Sequence, residues 1–402
     1  MHVASVLPPE LFDESIDHLW DDPKSLAACA LTCRDWIGTS RLHLFRTVRI
    51  QNASQCARFE ALLQSTPAIA RCVRRFTVSA EYKGVDEAGR SVEDDAWVNA
   101  VGGFVHRLER VTTIGLSRVR WHALLPETQA AFVDRFAHVR TLFLFEVRFE
   151  ASRDVLDFLG AFPALNELYF HGVAWNKESP APLGAPADET AIQAIRQAKE
   201  CMHLSYLFLD SRSSPTLVTE WLLSHPSEQH LRTIQLCWRE IENMKVVGDL
   251  LHASGASLER LLVEFPSGVP EEAVLDNQIS LVHNTGLRSV RFGGLDAKAA
   301  ASQGFMSNQL FPWVTAMISQ ISSPQLEEIS FEFEITSVAD LLSLDWSRID
   351  HDLSREEYKG LLVYFFVVCQ DMTPKVEKEI RNLIADRLHG LCERGTLCVS
   401  CV

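Results

Sequence analysis

The chain has 402 residues, 47% of them hydrophobic and 23% charged, with a formal net charge of -15 at pH 7. That length allows one elongated domain or two to three compact ones, and the composition is that of a folded soluble protein. The acidic balance argues against nucleic acid and anionic membrane surfaces as partners, since both call for basic patches. The first predicted elements are two short helices. Pro8 and Pro9 suit a first helical turn, where the missing N–H groups are not needed. Leu11, Ser15/Ile16 and Leu19 follow at helical spacing. Asp22-Pro23 is a helix start, with Asp as N-cap and Pro at N1, and Leu26, Cys29/Ala30 and Cys33 form the stripe that follows. About 40 residues is near or below the size at which a lone core is stable. Part of this apolar surface must be covered by a partner, by the rest of the chain, or by both.

The stretch Leu7 to Arg46 carries Leu7-Pro8, Glu10-Leu11, Ser25-Leu26, Cys33-Arg34-Asp35-Trp36 and Phe45-Arg46. In these residues and their spacing it resembles an F-box. Its His-Leu-Trp-Asp-Asp-Pro-x-Ser-Leu core and Leu-Phe-Arg-Thr-Val exit are similar to the large F-box families of mushroom-forming fungi. The resemblance implies a helical module over residues 1–50 that docks onto a Skp-type adaptor and, through it, onto a cullin–RING ubiquitin ligase. It implies that Leu7, Pro8, Leu11, Ile16, Leu19, Leu26, Cys33 and Trp36 carry or shape the adaptor contact. Packing within the module is the other role open to them, to Trp36 above all. Ser15 stands where F-boxes usually carry an apolar residue; either the contact is weakened there or Ile16 takes it over.

Next come a strand-like Val48 and Ile50 and a helical stretch from Ser54 to Gln64. A pattern then recurs: an apolar residue, two residues, an apolar residue, one residue, an apolar residue. It runs Val73-x-x-Phe76-x-Val78, Val139-x-x-Leu142-x-Leu144, Leu165-x-x-Leu168-x-Phe170 and Leu204-x-x-Leu207-x-Leu209. It continues as Leu231-x-x-Ile234-x-Leu236, Leu258-x-x-Leu261-x-Val263, Leu287-x-x-Val290-x-Phe292 and Leu326-x-x-Ile329-x-Phe331. Leu108-x-x-Val111 is a weaker member and Tyr358-x-x-Leu361-x-Val363 a late one; intervals run from 26 to 39 residues. Helices are expected between strands, among them Val155 to Phe162, Leu217 to Leu223, Met244 to His252 and Trp313 to Ile321. A helix from Val376 to Leu391 and a closing strand from Leu397 to Val399 would cap the end.

One strand and one helix at this period resemble leucine-rich-repeat units, whose stacking closes a continuous core. The resemblance covers residues 51–402 and implies a solenoid with a parallel inner sheet and outer helices. The Asn or Cys usual three positions after the last motif Leu is replaced by Val147, Val173, Arg212, Arg239 and Pro266, so we expect irregular curvature. Glu81 to Asp95, Trp175 to Thr190 and Leu295 to Gln309 are the expected loops. The expected fold is thus α/β: an all-α F-box, then an irregular leucine-rich-repeat solenoid.

Residues alternating with the motif positions would point to the concave face. They include Phe143 and Phe145, Tyr169 and His171, then Tyr206, Phe208 and Asp210, and beyond them Gln235, Arg260, Glu264, Arg291, Glu328 and Glu332. An aromatic surface grading into charge is a candidate target-binding site. The acidic segment Ser322 to Gly360, with ten acidic residues against three basic, reads as a solvated face or a match for a basic partner segment.

No catalytic constellation is present. There is no Gly-rich phosphate loop, His-Glu-x-x-His or Gly-x-Ser-x-Gly, and Gly102-Gly103 and Gly293-Gly294 are isolated pairs that fit turns. Cys398-Val-Ser-Cys401 lacks the further ligands of a zinc site and reads as strand. We expect no cofactor, no metal and no enzymatic activity of its own. No secretory pattern precedes Leu7, the apolar run Leu361 to Cys369 is far too short to span a bilayer, and the ten cysteines are scattered. Reduced thiols and a cytoplasmic and/or nuclear location are the expectation. The combined resemblances imply a substrate receptor that delivers an unknown protein target for ubiquitin-dependent degradation. The alternative is a leucine-rich-repeat interaction scaffold not engaged with a ligase.

Overall fold

The chain begins with three helices, α1 (Pro9–Asp17), α2 (Pro23–Thr32) and α3 (Ile37–Leu44). In this computed structural model the described residues are 9–85, 91–177, 204–210, 215–223, 230–237, 244–265, 274, 279–297 and 310–402. The start of α2 is built as its sequence dictates. Asp22 Oδ1 accepts from the backbone N–H groups of Lys24 (3.0 Å) and Ser25 (3.1 Å), with Pro23 in the first turn. The Ser25 hydroxyl on Asp22 is the chief reason that carboxyl lies below its ordinary value. Three contacts tie α1 to α3: the Phe12 and Trp36 rings at 5.5 Å, the Thr39 hydroxyl on Asp13, and His43 Nε2 on Asp17 Oδ1 at 2.6 Å.

Two compact units divide the chain at Met202 and His203. After the helices, the first unit continues with β1 (Thr47–Ile50), α4 (Ala53–Ser65), β2 (Arg75–Ser79), β3 (Glu81–Val85), β4 (Ser91–Asp94) and the one-turn α5 (Gly102–Val105). It then has β5 (Thr113–Ser117), α6 (Pro126–Phe136), β6 (Thr141–Phe145), β7 (Arg148–Ala151), α7 (Ser152–Gly160), β8 (Glu167–His171) and β9 (Ala174–Lys177). Its main sheet runs β1-β2-β5-β6-β8, parallel throughout. Alternation sets its two faces: Phe76, Val78, Ile114, Leu116, Leu142, Leu144, Leu168 and Phe170 are buried. Rings from the connecting helices close over them, with Phe59, Phe104 and Phe136 within 6.5 Å of one another or of Phe76. Val48 and Ile50 stand in register with Phe76 and Val78, so the sheet begins at Thr47, inside the span expected for the helical module.

The second unit contains β10 (Tyr206–Asp210), α8 (Pro215–Leu223), β11 (Thr233–Cys237), α9 (Met244–Ser254), β12 (Arg260–Glu264), β13 (Ser289–Asp296) and α10 (Pro312–Gln320). After these come β14 (Glu328–Ile335), α11 (Trp346–Leu353), β15 (Leu362–Cys369), α12 (Pro374–Arg387), α13 (His389–Arg394) and β16 (Leu397–Cys401). Its parallel sheet runs β10-β11-β12-β13-β14-β15-β16. Phe292, Phe331 and Phe365 occupy one register position on neighbouring strands and stack at 5.4 and 4.7 Å. The expected closing helix is two helices, parted at the buried Leu388, and Gly395 (φ 68) ends the second.

Several expectations are corrected. The weak motif at Leu108 is displaced by three residues: Ile114 and Leu116 are the inward set of β5, and Val111 is the buried residue that leads into it. In the last repeat Val363 and Phe365, not Leu361 and Val363, align with Ile329 and Phe331. The stretch from Glu81 is an antiparallel hairpin, β3 with β4, rather than a loop. Trp175, Asn176 and Lys177 belong to β9, which pairs with β7, and Leu295 and Asp296 belong to β13; the rest of those two expected loops lies outside the described residues but for Ala297. Neither Gly pair makes a turn. Gly102 and Gly103 start α5, and Gly293 and Gly294 form a bulge in β13, where Gly294 has φ 64. A Cβ on Gly293 would stand 2.8 Å from Glu264 Cγ, so the bulge gives that side chain its room.

The missing polar ladder has a physical substitute in the first unit. Arg118 (φ 55), Glu146 (φ 53) and Gly172 (φ 60) each follow a strand in left-handed backbone, and Val119, Val147 and Val173 after them are buried. The turn's N–H groups bond to the next strand of the sheet, Arg118 N to Phe145 O (2.8 Å) and Glu146 N to His171 O (2.7 Å). In the second unit buried polar side chains do related work ahead of the strands. Asn284 donates to Leu251 O (2.8 Å) and Gly255 O (3.0 Å), and the Ser323 hydroxyl reaches Leu287 O (2.7 Å). Arg212, Arg239 and Pro266 lie outside the described residues.

Candidate functional site

The three N-terminal helices leave apolar side chains in solvent. Leu31 is 89% exposed, Trp20 67%, Leu11 44% and Leu42 39%, four of the ten exposed large hydrophobics among the described residues. Ala27, Ala28 and Leu31 are exposed together on α2 at i, i+1 and i+4. Leu31 lies five residues from the buried Leu26, about 140° around a helix of 3.6 residues per turn, so one face is sealed and another bare. Lys24 shares that face by helical spacing, and an exposed apolar patch edged by a charged residue has the make-up of a docking surface.

The sequence-derived adaptor residues divide by position. Leu11 is exposed, Leu19 and Cys33 are half-buried, and Ile16 and Leu26 are buried at 3% and 1%. Ile16 therefore cannot take over a contact from Ser15; it points into the module, while the exposed Ser15 hydroxyl bonds Leu11 O at 2.7 Å. Trp36 is half-buried against Phe12 and shapes the module from within. Leu7 and Pro8 lie outside the described residues. Sequence reading missed Trp20, Leu31 and Leu42. For Leu31 a signal existed, the spacing that sets it opposite Leu26.

The second surface is the exposed face of the first unit's sheet. Register places Phe143 beside Tyr169 and Phe145 beside His171. Strands about 4.8 Å apart bring in-register rings to stacking distance. The Phe143 and Tyr169 rings are 4.0 Å apart at 18°, and Phe145 and His171 4.5 Å apart at 4°. All four are half-buried. Arg75 stands 5.6 Å over Phe143 and Arg118 5.8 Å over Phe145, with Arg118 Nε also on Glu146 Oε2 at 2.9 Å.

In the second unit Tyr206 and Phe208 are half-buried on the corresponding face, Tyr206 donating to Gln235 Oε1 at 3.0 Å. Asp210 is corrected: at 4% exposure, opposite Cys237 at the strand end, it is no part of an open surface. Burial, with help from Glu264, pushes the Cys237 thiol up to about 12. The acids from Ser322 to Gly360 are largely engaged within the chain: Glu327 pairs with Arg288, Glu332 with Arg291, Glu356 with Lys359, and Asp340 and Asp345 cap helical turns. Cys398 and Cys401, three apart on β16, point to opposite faces of the strand. No cluster of metal-ligating side chains occurs among the described residues, and no helix there is long and apolar enough to cross a membrane. Comparison with protein-family models gave no match, and neither did comparison with curated protein sequences.

Proposed function

We propose that the chain is the substrate-receptor subunit of a Skp–cullin–F-box ubiquitin ligase. The N-terminal helices bind a Skp-type adaptor, and a leucine-rich-repeat-like region binds the protein target. The observation that carries the reading is the set of apolar side chains that the first helices leave exposed, above all Leu31 with Ala27 and Ala28 on one face of α2. A polar chain of net charge -15 keeps such a surface open only at a cost in solubility, and a partner that covers it removes that cost. The parallel sheets, each built from strands joined in sequence order, support the repeat part of the reading. Ubiquitin transfer then occurs on other subunits, and this chain contributes proximity, raising the effective concentration of target lysines.

The test is co-expression of the full chain with a Skp-type adaptor. Stoichiometric co-purification that Leu31→Glu abolishes supports the reading. An adaptor that never accompanies the wild-type chain overturns it and favours the interaction scaffold without a ligase.

A further inference from the structure

We propose that the exposed sheet face of the first unit is a peptide-binding site for a target segment that carries acidic residues and, about four residues away, aromatic ones. The inference rests on the target-binding half of the reading above and adds the chemistry of the bound segment.

A cavity of 440 Å³ opens on that face, lined by Arg49, Arg75, Thr77, Ser117 and Phe143 among others. Register explains its shape. Arg49, Thr77, Gly115, Phe143 and Tyr169 form one row across β1, β2, β5, β6 and β8. Gly115 is the low point: a Cβ there would meet Thr77 at 2.9 Å, and its absence leaves a gap before the Phe143 ring. The floor is hydroxyl-bearing, with Thr77, Ser79 and Ser117.

The charge is uneven. Arg49 and Arg75 are both exposed and form no ion pair among the described residues; Arg49 has only a long contact of 3.5 Å to the Ser79 hydroxyl, and Arg75 lies against Phe143. In a chain of net charge -15, two unneutralised guanidinium groups beside one cavity select an anion. Arg118 is already matched by Glu146, which leaves the other two for a ligand.

Length decides what kind of ligand. From β1 to β8 the row crosses four strand spacings, about 19 Å at about 4.8 Å each. From Arg49 on β1 to Phe143 on β6 it is three spacings, about 14 Å, or about four residues of extended chain at about 3.3 Å each. A strip with Arg49 at one end, stacked rings at the other and Arg75 reaching over Phe143 between them, on an open face, fits an extended peptide. Carboxylates reach Arg49 and Arg75, and aromatic side chains pack against the edges of the stacked Phe143 and Tyr169 rings.

The test is calorimetric titration of the full chain with the blocked hexapeptide Ac-Glu-Glu-Gly-Ser-Phe-Phe-amide and its reversed sequence. Controls replace both Glu by Gln, or both Phe by Ala. We expect one of the two orders to bind, at least tenfold weaker without its carboxylates and weaker again as salt is raised. Arg49→Gln/Arg75→Gln should bind the Glu and Gln peptides alike, with an unchanged melting temperature. Phe143→Ala should weaken the Phe peptide and leave the Ala control unaffected. No binding by either order, or equal binding by wild type and the double variant, overturns the proposal. Adaptor co-purification by the wild-type chain separates the two claims: capture with no peptide binding rejects this site alone, and peptide binding without capture rejects the ligase reading alone.

Discussion

Replacing Leu31 by Ala tests the bare helical face most directly. The side chain is 89% exposed, so its loss removes almost no packing, and Leu and Ala are both good helix formers. The folded chain should keep its stability within about 0.5 kcal/mol. If an adaptor covers this position, three buried carbons are lost at about 0.8 kcal/mol each, or about 2 kcal/mol, which weakens binding about thirtyfold. The assay is titration of the purified chain with a Skp-type adaptor, with thermal unfolding measured in parallel. Expected are unchanged unfolding and the thirtyfold loss together. An affinity within twofold of wild type would refute the assignment of this face, and a large fall in melting temperature would refute the exposure on which the calculation rests.

Other predictions concern the substitutes for the missing polar ladder and the thiols. Asn284→Ala removes the side-chain donor to the Leu251 and Gly255 carbonyls and should cost about 2–3 kcal/mol in urea unfolding; a change below about 0.5 kcal/mol would contradict the buried bonds. Gly172→Ala should cost about 1–2 kcal/mol, because φ is 60 and the added Cβ meets Glu146 Cγ at 3.1 Å. Burial, with a smaller push from Glu60, raises the Cys56 thiol to about 11. At pH 8 its thiolate fraction is about a hundredfold below that of an ordinary thiol, so mass-mapped alkylation should reach the exposed Cys392 and Cys398 long before Cys56 or Cys237. The sign for stability follows. The unfolded thiol ionises near 9 while folded Cys56 stays protonated to about 11, so this contribution to stability is present below pH 9 and falls as pH rises through that window.

What could be read from the chain alone was whatever depends on local periodicity. Inward positions such as Leu142 and Leu144, or Ile329 and Phe331, declare themselves because alternation fixes which face of a strand is sealed. Asp22-Pro23 marks a helix start because the cap is a bond between residues two and three apart. The Val111 set was misplaced because Leu108 is also buried, and a local motif cannot tell a strand's inward residue from the turn that feeds it.

The candidate surfaces divide along the same line. That Phe143 and Tyr169 share a face follows from alternation, but their 4.0 Å stack requires the register of β6 on β8, a pairing across 26 residues of chain. Nothing in the sequence says that Asp210 is buried, that Leu26 is sealed while Leu31 is bare, or that Arg49 and Arg75 find no carboxylate among the described residues. Each depends on what the rest of the chain brings close. Periodicity fixes which way a side chain points; only tertiary packing decides whether anything is there to meet it.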